Sequence, residues 1–136
     1  MRYFALDFET GNASPLSACA LGVSIFEDGR LVGERVSLLK PPACAGKFHW
    51  GNVRVNHIKE NMVQDAPSFA SFWRELAPPA EGSLLVAHNA MFDTGVLWQY
   101  ALDKPAYGAL RAADAGMPLC VHGKGFAARM AGPCQS

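Results

Sequence analysis

The sequence predicts an α/β fold built on one mixed sheet, in which an antiparallel meander comes first and helix-linked parallel strands follow. Three observations carry that expectation. Apolar runs at residues 2–8, 19–26 and 31–39 are strand-like, and the last two flank Asp28-Gly29, a turn pair in which glycine accepts positive φ. Phe69, Phe72, Trp73 and Leu76 recur at helical spacing. A further apolar run, Ser83 to Ala87, passes directly into a second helical pattern that ends near Leu102.

The elements follow in order. Residues 2–8 are nearly all apolar after Arg2, as expected for a central strand buried on both faces. Gly11 to Ser17, with Asn12, Ser14 and Pro15, reads as a loop. The hairpin around Glu27-Asp28-Gly29-Arg30 then extends the first strand into a three-stranded meander. Lys40 to Asn52 holds Pro41, Pro42 and Gly46 and is expected to be irregular and partly exposed. Pro67 opens the first main helix, with Asp65 or Ser68 as cap, and Pro78-Pro79 ends it. Its aromatic stripe is read as core rather than as a base-stacking face. Asn89 is a natural cap for the last helix, whose buried face is Val96, Leu97, Tyr100 and Ala101. A right-handed crossover through the first helix brings the fourth strand beside the first.

At 136 residues the chain is long enough for one layered core, and with half its residues apolar and 18% charged it is globular rather than disordered. Twelve basic and twelve acidic residues cancel, so no global field draws in nucleic acid. This argues against tight, metal-independent DNA binding. Cys19, Cys44, Cys120 and Cys134 form no C-x-x-C pair, and free thiols in a reducing compartment are expected. Asp7 and Glu9 fall where a signal peptide needs an apolar core, and no run reaches the roughly 18 apolar residues of a membrane span. A cytoplasmic chain without membrane contact follows.

The chemistry begins in Phe4-Ala5-Leu6-Asp7-Phe8-Glu9-Thr10-Gly11, where strand alternation puts Asp7 and Glu9 on the same side. Two neighbouring carboxylates that lose hydration need protons, partners or cations, and a divalent metal is the most economical of these. Solvated surface acids are the plainer alternative. A third acid, Asp93, follows the apolar strand of Leu84-Leu85-Val86-Ala87 at the start of a helix. Hard, small cations prefer carboxylate oxygens, so Mg²⁺ or Mn²⁺ suits these acids better than zinc.

Asp7-Phe8-Glu9-Thr10, followed by Ala87-His88-Asn89-Ala90-Met91-Phe92-Asp93, resembles the first two motifs of the DEDD (DnaQ-like) exonuclease superfamily. That group contains the proofreading epsilon subunit of bacterial DNA polymerase III, RNase T and oligoribonuclease. The resemblance covers roughly residues 2 to 103 and implies a ribonuclease-H-like fold, with a 3′→5′ exonuclease domain over residues 1–104. It implies two metal ions, with Asp7 bridging both, Glu9 serving the water-bearing one and Asp93 the other. Thr10 would contact the terminal nucleotide and Phe92 would shape the pocket, although Phe92 also reads as core and Thr10 as a turn residue. The implied partners are a DNA or RNA 3′ end and a polymerase subunit. Where the family commonly has His-Gly-Ile, this chain has Asn56-His57-Ile58, which puts Asn56 on the usual histidine position and His57, a substrate-binding candidate, on the usual glycine.

The third family motif, a histidine followed five positions later by an aspartate, is absent from its expected place. Beyond Asp93 the acids are Asp103 and Asp114, and the histidine is His122, with Ala127 five positions on. Half of the 32 residues from Pro105 to Ser136 are Ala, Gly or Pro, and no helix or strand periodicity persists there. The domain is therefore expected to be C-terminally incomplete, with residues 105–136 a divergent or frame-shifted end. Weak turnover by the chain alone follows from the missing base and the missing fourth carboxylate. A catalytically inactive module that binds nucleic acid or protein is the alternative, and a ribonuclease-H-like hydrolase of another family is a third.

Overall fold

Residues 2–38 fold as three consecutive antiparallel strands, β1 (Arg2–Thr10), β2 (Ala18–Glu27) and β3 (Arg30–Leu38). The computed structural model of the chain describes residues 1–80, 83–87, 90–102 and 119–120. Asp28 and Gly29 alone connect β2 to β3, with φ of 49° and 79°. Two positive φ values are what a two-residue hairpin requires, and the Asp-Gly signal rested on that requirement. β4 (Leu84–Ala87) lies parallel to β1, and β5 (Leu119–Cys120) parallel to β4, giving the order β3-β2-β1-β4-β5. The expected adjacency of the first and fourth strands is thus present, with β1 at the centre.

The helices are α1 (Trp50–Asn56), α2 (Phe69–Ala80) and α3 (Ala90–Leu102), with short 3₁₀ turns at Pro15–Ser17, Ala43–Ala45 and Glu60–Val63. Phe69, Phe72, Trp73 and Leu76 are buried and join Phe4, Leu6, Phe8, Val96, Leu97 and Tyr100 in one core cluster. Phe69 stacks on Tyr100 at 4.5 Å and on Trp73 at 5.6 Å. The aromatic stripe is therefore core, as its spacing implied.

Four expectations need correction. β1 is not buried on both faces: Phe4, Leu6 and Phe8 are buried while Asp7 between them is exposed. The apolar side chains of α2 and α3 cluster with the Phe4-Leu6-Phe8 face, which leaves the acids on the other. α2 does not stop at Pro78-Pro79 but continues to Ala80. The prolines deprive the carbonyls of Arg74 and Glu75 of amide partners, but both residues are exposed, where water can replace them. The segment 40–52 is not irregular throughout, since α1 begins at Trp50. Finally, the patternless tail contributes β5, whose two residues pair with Leu85 and Val86. A two-residue strand is too short to show a period.

The cysteine expectation also fails in part. Cys19 is a buried free thiol, but Cys44 is disulfide-bonded. The spacing of the cysteines does not announce such a bond. Among the described residues no helix is long and apolar enough to cross a membrane.

Candidate active site

β1 outruns its parallel neighbour. β4 ends with Ala87 opposite Leu6, while β1 continues to Thr10. Beyond that end the Phe8 N–H donates to Asp93 Oδ1 at 3.0 Å instead of to a strand. α3 starts at Ala90, so Asp93 sits in its first turn, where a carboxylate also complements the helix dipole. The side chain is 3% exposed. Burial pushes its carboxyl up to about 6, opposed by the Phe8 amide, and the charges of Asp7 and Glu9 push it in the same upward direction. Asp7, Glu9 and Asp93, separated by more than 80 residues of sequence, thus share one electrostatic environment.

The β1–β2 register shifts beside Glu9. Glu9 lies opposite Ala20 and Thr10 opposite Ala18, which leaves Cys19 as the extra residue of a bulge. A bulge sharpens the local twist and re-aims the side chains next to it. Cys19 is buried there, and burial, followed by the charge of Glu9, pushes its thiol up to about 11. It stays a neutral thiol at physiological pH.

α1 walls the other side. Its seven residues include none that is buried, so apolar packing does not hold it in place. Carboxamides do. Asn52 Nδ2 donates to Thr10 O at 3.1 Å, to Thr10 Oγ1 at 3.3 Å and to Asn12 O at 3.3 Å; Asn56 Nδ2 donates to Thr10 O at 3.0 Å. Asn12 in turn donates to the carbonyls of Ala45 and Lys47, and His49 N–H donates to Gly11 O at 2.7 Å. Gly11 is needed for close approach, because a Cβ there would lie 2.4 Å from the Phe48 ring. Between α1 and the end of β1 lies a cavity of about 240 Å³ lined by Glu9, Thr10, Gly51, Asn52, Val55 and Asn56.

Thr10 is buried, and its carbonyl and hydroxyl are both engaged by Asn52. Phe92, 38% exposed, adjoins Asp93 on α3. His57 is exposed at the C-cap of α1 with φ of 60°, and it is not among the residues lining the cavity. The left-handed conformation explains why the family's glycine fits this position. Asn56, on the family's histidine position, faces the site instead. Asn52 and Gly11 were not singled out from sequence, although the i, i+4 spacing of Asn52 and Asn56 was visible. His88, Asn89, Asp103, Asp114 and His122 lie outside the described residues.

Three carboxylates are the donor set that a hard divalent cation prefers, and Asp93, its carboxyl raised chiefly by burial and further by the charges of Asp7 and Glu9, is a group whose ionised form such a cation would favour. The donor chemistry therefore fits Mg²⁺ or Mn²⁺. The arrangement is not a closed cage, since among the described residues no group of three His, Cys, Asp or Glu side chains is gathered tightly enough to hold a metal ion by itself.

No family model matches the chain. Over 93 residues it is 29% identical to a DNA polymerase III of the PolC type from Thermotoga petrophila, a match that covers 67% of this chain and 7% of that protein. Exonuclease X, solved with 5′-overhanging duplex DNA, superposes with a TM-score of 0.51 at 26% identity, over 67% of this chain and 51% of its own. The chain is related to the DEDD exonucleases. Escherichia coli exonuclease I, solved with a dA13 oligonucleotide, shares the fold of this chain, with a TM-score of 0.61, 14% identity and coverage of 79% of this chain and 25% of its own. The chain thus spans about half of exonuclease X and a small fraction of the polymerase.

Proposed function

We propose that this DEDD-type domain hydrolyses phosphodiester bonds at nucleic-acid 3′ ends and releases nucleoside 5′-monophosphates. Asp7, Glu9 and Asp93 hold Mg²⁺ or Mn²⁺ in this reading. The observation that carries it is the hydrogen bond from the Phe8 amide, which lies between Asp7 and Glu9 in the chain, to Asp93 of α3. Bound divalent ions supply activated water near neutral pH and charge stabilisation of the leaving oxygen.

The chain's own residues provide the rest. The Phe8 amide engages one oxygen of Asp93 and leaves the other for a cation. The cavity between Glu9 and α1 receives the terminal sugar, Thr10 and Asn56 form its walls, and Phe92 offers an apolar edge beside Asp93. His57 stands outside that wall, so Asn56 takes the nucleotide-facing role. No histidine of a third motif is present to accept the water's proton, a service that general bases provide at roughly 10²–10⁴-fold. Turnover is therefore slow. The polymerase relative supports association with a polymerase subunit.

The test is incubation of the purified chain with a 5′-labelled single-stranded oligonucleotide and Mn²⁺, beside an Asp7→Ala control. A ladder of 3′-shortened products that vanishes in the control is expected. A folded protein that yields no ladder at any concentration would overturn the catalytic reading and leave a fold without its chemistry.

A further inference from the structure

The sheet has two faces, and α2 and α3 take one. Phe4, Leu6 and Phe8 of β1 share a core cluster with residues of those helices, so strand alternation turns Tyr3, Ala5 and Asp7 to the other face. Strand pairing extends that second face sideways. Phe26 and Leu31 lie in line with Tyr3, Ser24 and Glu34 with Ala5, and Gly22 and Val36 with Asp7. On the other flank β4 adds Leu84 beside Tyr3 and Val86 beside Ala5.

The cover on this face is partial. Ala20 and Leu38, the next pair along, cluster with Ile58 and Val63 from the segment that follows α1. Two residues away on β3 that cover has ended, for Val36 is 84% exposed, and Leu31 further on is 51% exposed. Ala5 and Val86 lie on paired parallel strands, yet both are only half-buried. Parallel strands are ordinarily covered on both faces, and a contiguous apolar surface left open is an interaction surface.

Shape and charge define what fits it. The small residues Ala5, Ser24 and Gly22 form a trough bounded by Val36 and by the Tyr3–Phe26 stack, whose ring centroids are 4.7 Å apart. A helix about 10 Å across rests over two strands about 4.8 Å apart. Glu34, and beyond it Asp7, make this face acidic. The nearby guanidinium groups serve the opposite face, since Arg35 pairs with Glu75 of α2 at 3.6 Å and Arg2 lies over the Phe4 ring at 5.4 Å. A second copy docked face to face would set these acids against each other, and a nucleic acid or an anionic lipid would be repelled.

We propose that this face docks a cationic amphipathic helix of a protein partner, with apolar side chains seated in the trough and Lys or Arg beside Glu34. The inference goes beyond the nuclease reading and does not depend on it.

The test uses the full chain in EDTA and two fluorescein-labelled helices of about 18 residues, one of Leu and Lys and one of Leu and Glu with the same amphipathic Leu pattern. Fluorescence anisotropy should show the Leu/Lys helix bound about 10-fold or more tightly than the Leu/Glu helix. Val36→Asn should weaken Leu/Lys binding by about 10-fold or more, and Glu34→Lys by about 2- to 10-fold. Both replaced residues are exposed, and unchanged urea midpoints would verify that the variants fold. Glu75→Lys, on the side that α2 covers, should leave binding unchanged. Equal affinity for the two helices, equal binding by wild type and Val36→Asn, or a loss in Glu75→Lys as large as in Glu34→Lys would overturn the proposal. So would a wild-type chain that binds neither helix. A wild-type dimer that Val36→Asn converts to monomer would also overturn it, because the occupant would then be a second copy. None of these outcomes bears on the exonuclease ladder, which is read with Mn²⁺ present.

Discussion

Replacing Asp93 by Asn should stabilise the metal-free protein at neutral pH. In the native chain the carboxyl is raised from 3.8 to about 6, chiefly by burial and further by Asp7 and Glu9. Between those values the native state binds more protons than the unfolded state, so unfolding free energy falls as pH rises. The favourable contribution is fully present below about pH 4 and is lost as pH passes about 6. At 1.36 kcal/mol per unit, the whole difference is about 3 kcal/mol. Asn keeps a carbonyl oxygen to accept the Phe8 N–H, so the substitution removes the charge without orphaning that donor. Urea unfolding in EDTA should show Asp93→Asn more stable than wild type by up to about 3 kcal/mol near pH 8, with the gap closing toward pH 4. Adding Mn²⁺ should reverse the order, because only the wild type keeps its third carboxylate. A variant no more stable than wild type near pH 8, or a gap equally large near pH 4, would refute the reasoning.

Three further outcomes are expected. Gly11→Ala places a methyl 2.4 Å from the Phe48 ring and should cost about 1–3 kcal/mol in chemical denaturation, partly recovered by adding Phe48→Leu. Tyr100→Phe removes the donor that satisfies Leu16 O at 2.8 Å, in a buried setting, and should lower stability by about 1 kcal/mol by the same measurement. His57→Gly relieves a left-handed φ of 60° and should raise the melting temperature slightly, by up to about 1 kcal/mol in free energy, while leaving oligonucleotide binding unchanged. Weaker binding by that variant would restore His57 as a substrate contact.

The sheet and both long helices were legible because each writes its burial into local sequence. Asp28-Gly29 announces a hairpin whose φ values need those residues, and Phe69, Phe72, Trp73 and Leu76 announce a helix by their period. α1 was missed for the converse reason. It buries nothing, so it has no apolar period, and it is fixed by hydrogen bonds to residues more than 40 positions away. The carboxylates stood out in the sequence because of their acidic setting beside strand ends. Their polar supports did not, since Asn52 and Gly11 matter through contacts with Thr10 and Phe48 that only the fold creates. β1 was misjudged because a continuous apolar run does not say which face a helix will cover, and here Asp7 occupies the uncovered one.

The same difference separates the domain's stability from that of its site. β1, α2 and α3 are held by a shared apolar cluster, whereas α1 depends on the carboxamides of Asn52 and Asn56 and on the loop that Asn12 ties down. Hydrogen bonds of this kind contribute roughly 0.5–1.5 kcal/mol each, so the wall can open at a cost well below global unfolding. Amides of residues 50–56 should therefore exchange with solvent faster than those of β1. Asn52→Ala should accelerate them further by removing three contacts at once, while the urea midpoint moves little. Protection of α1 equal to that of β1 in the wild type would show that α1 is part of the cooperative core. Glu9 and Thr10 would then be held by the whole fold and not by a separable polar clasp.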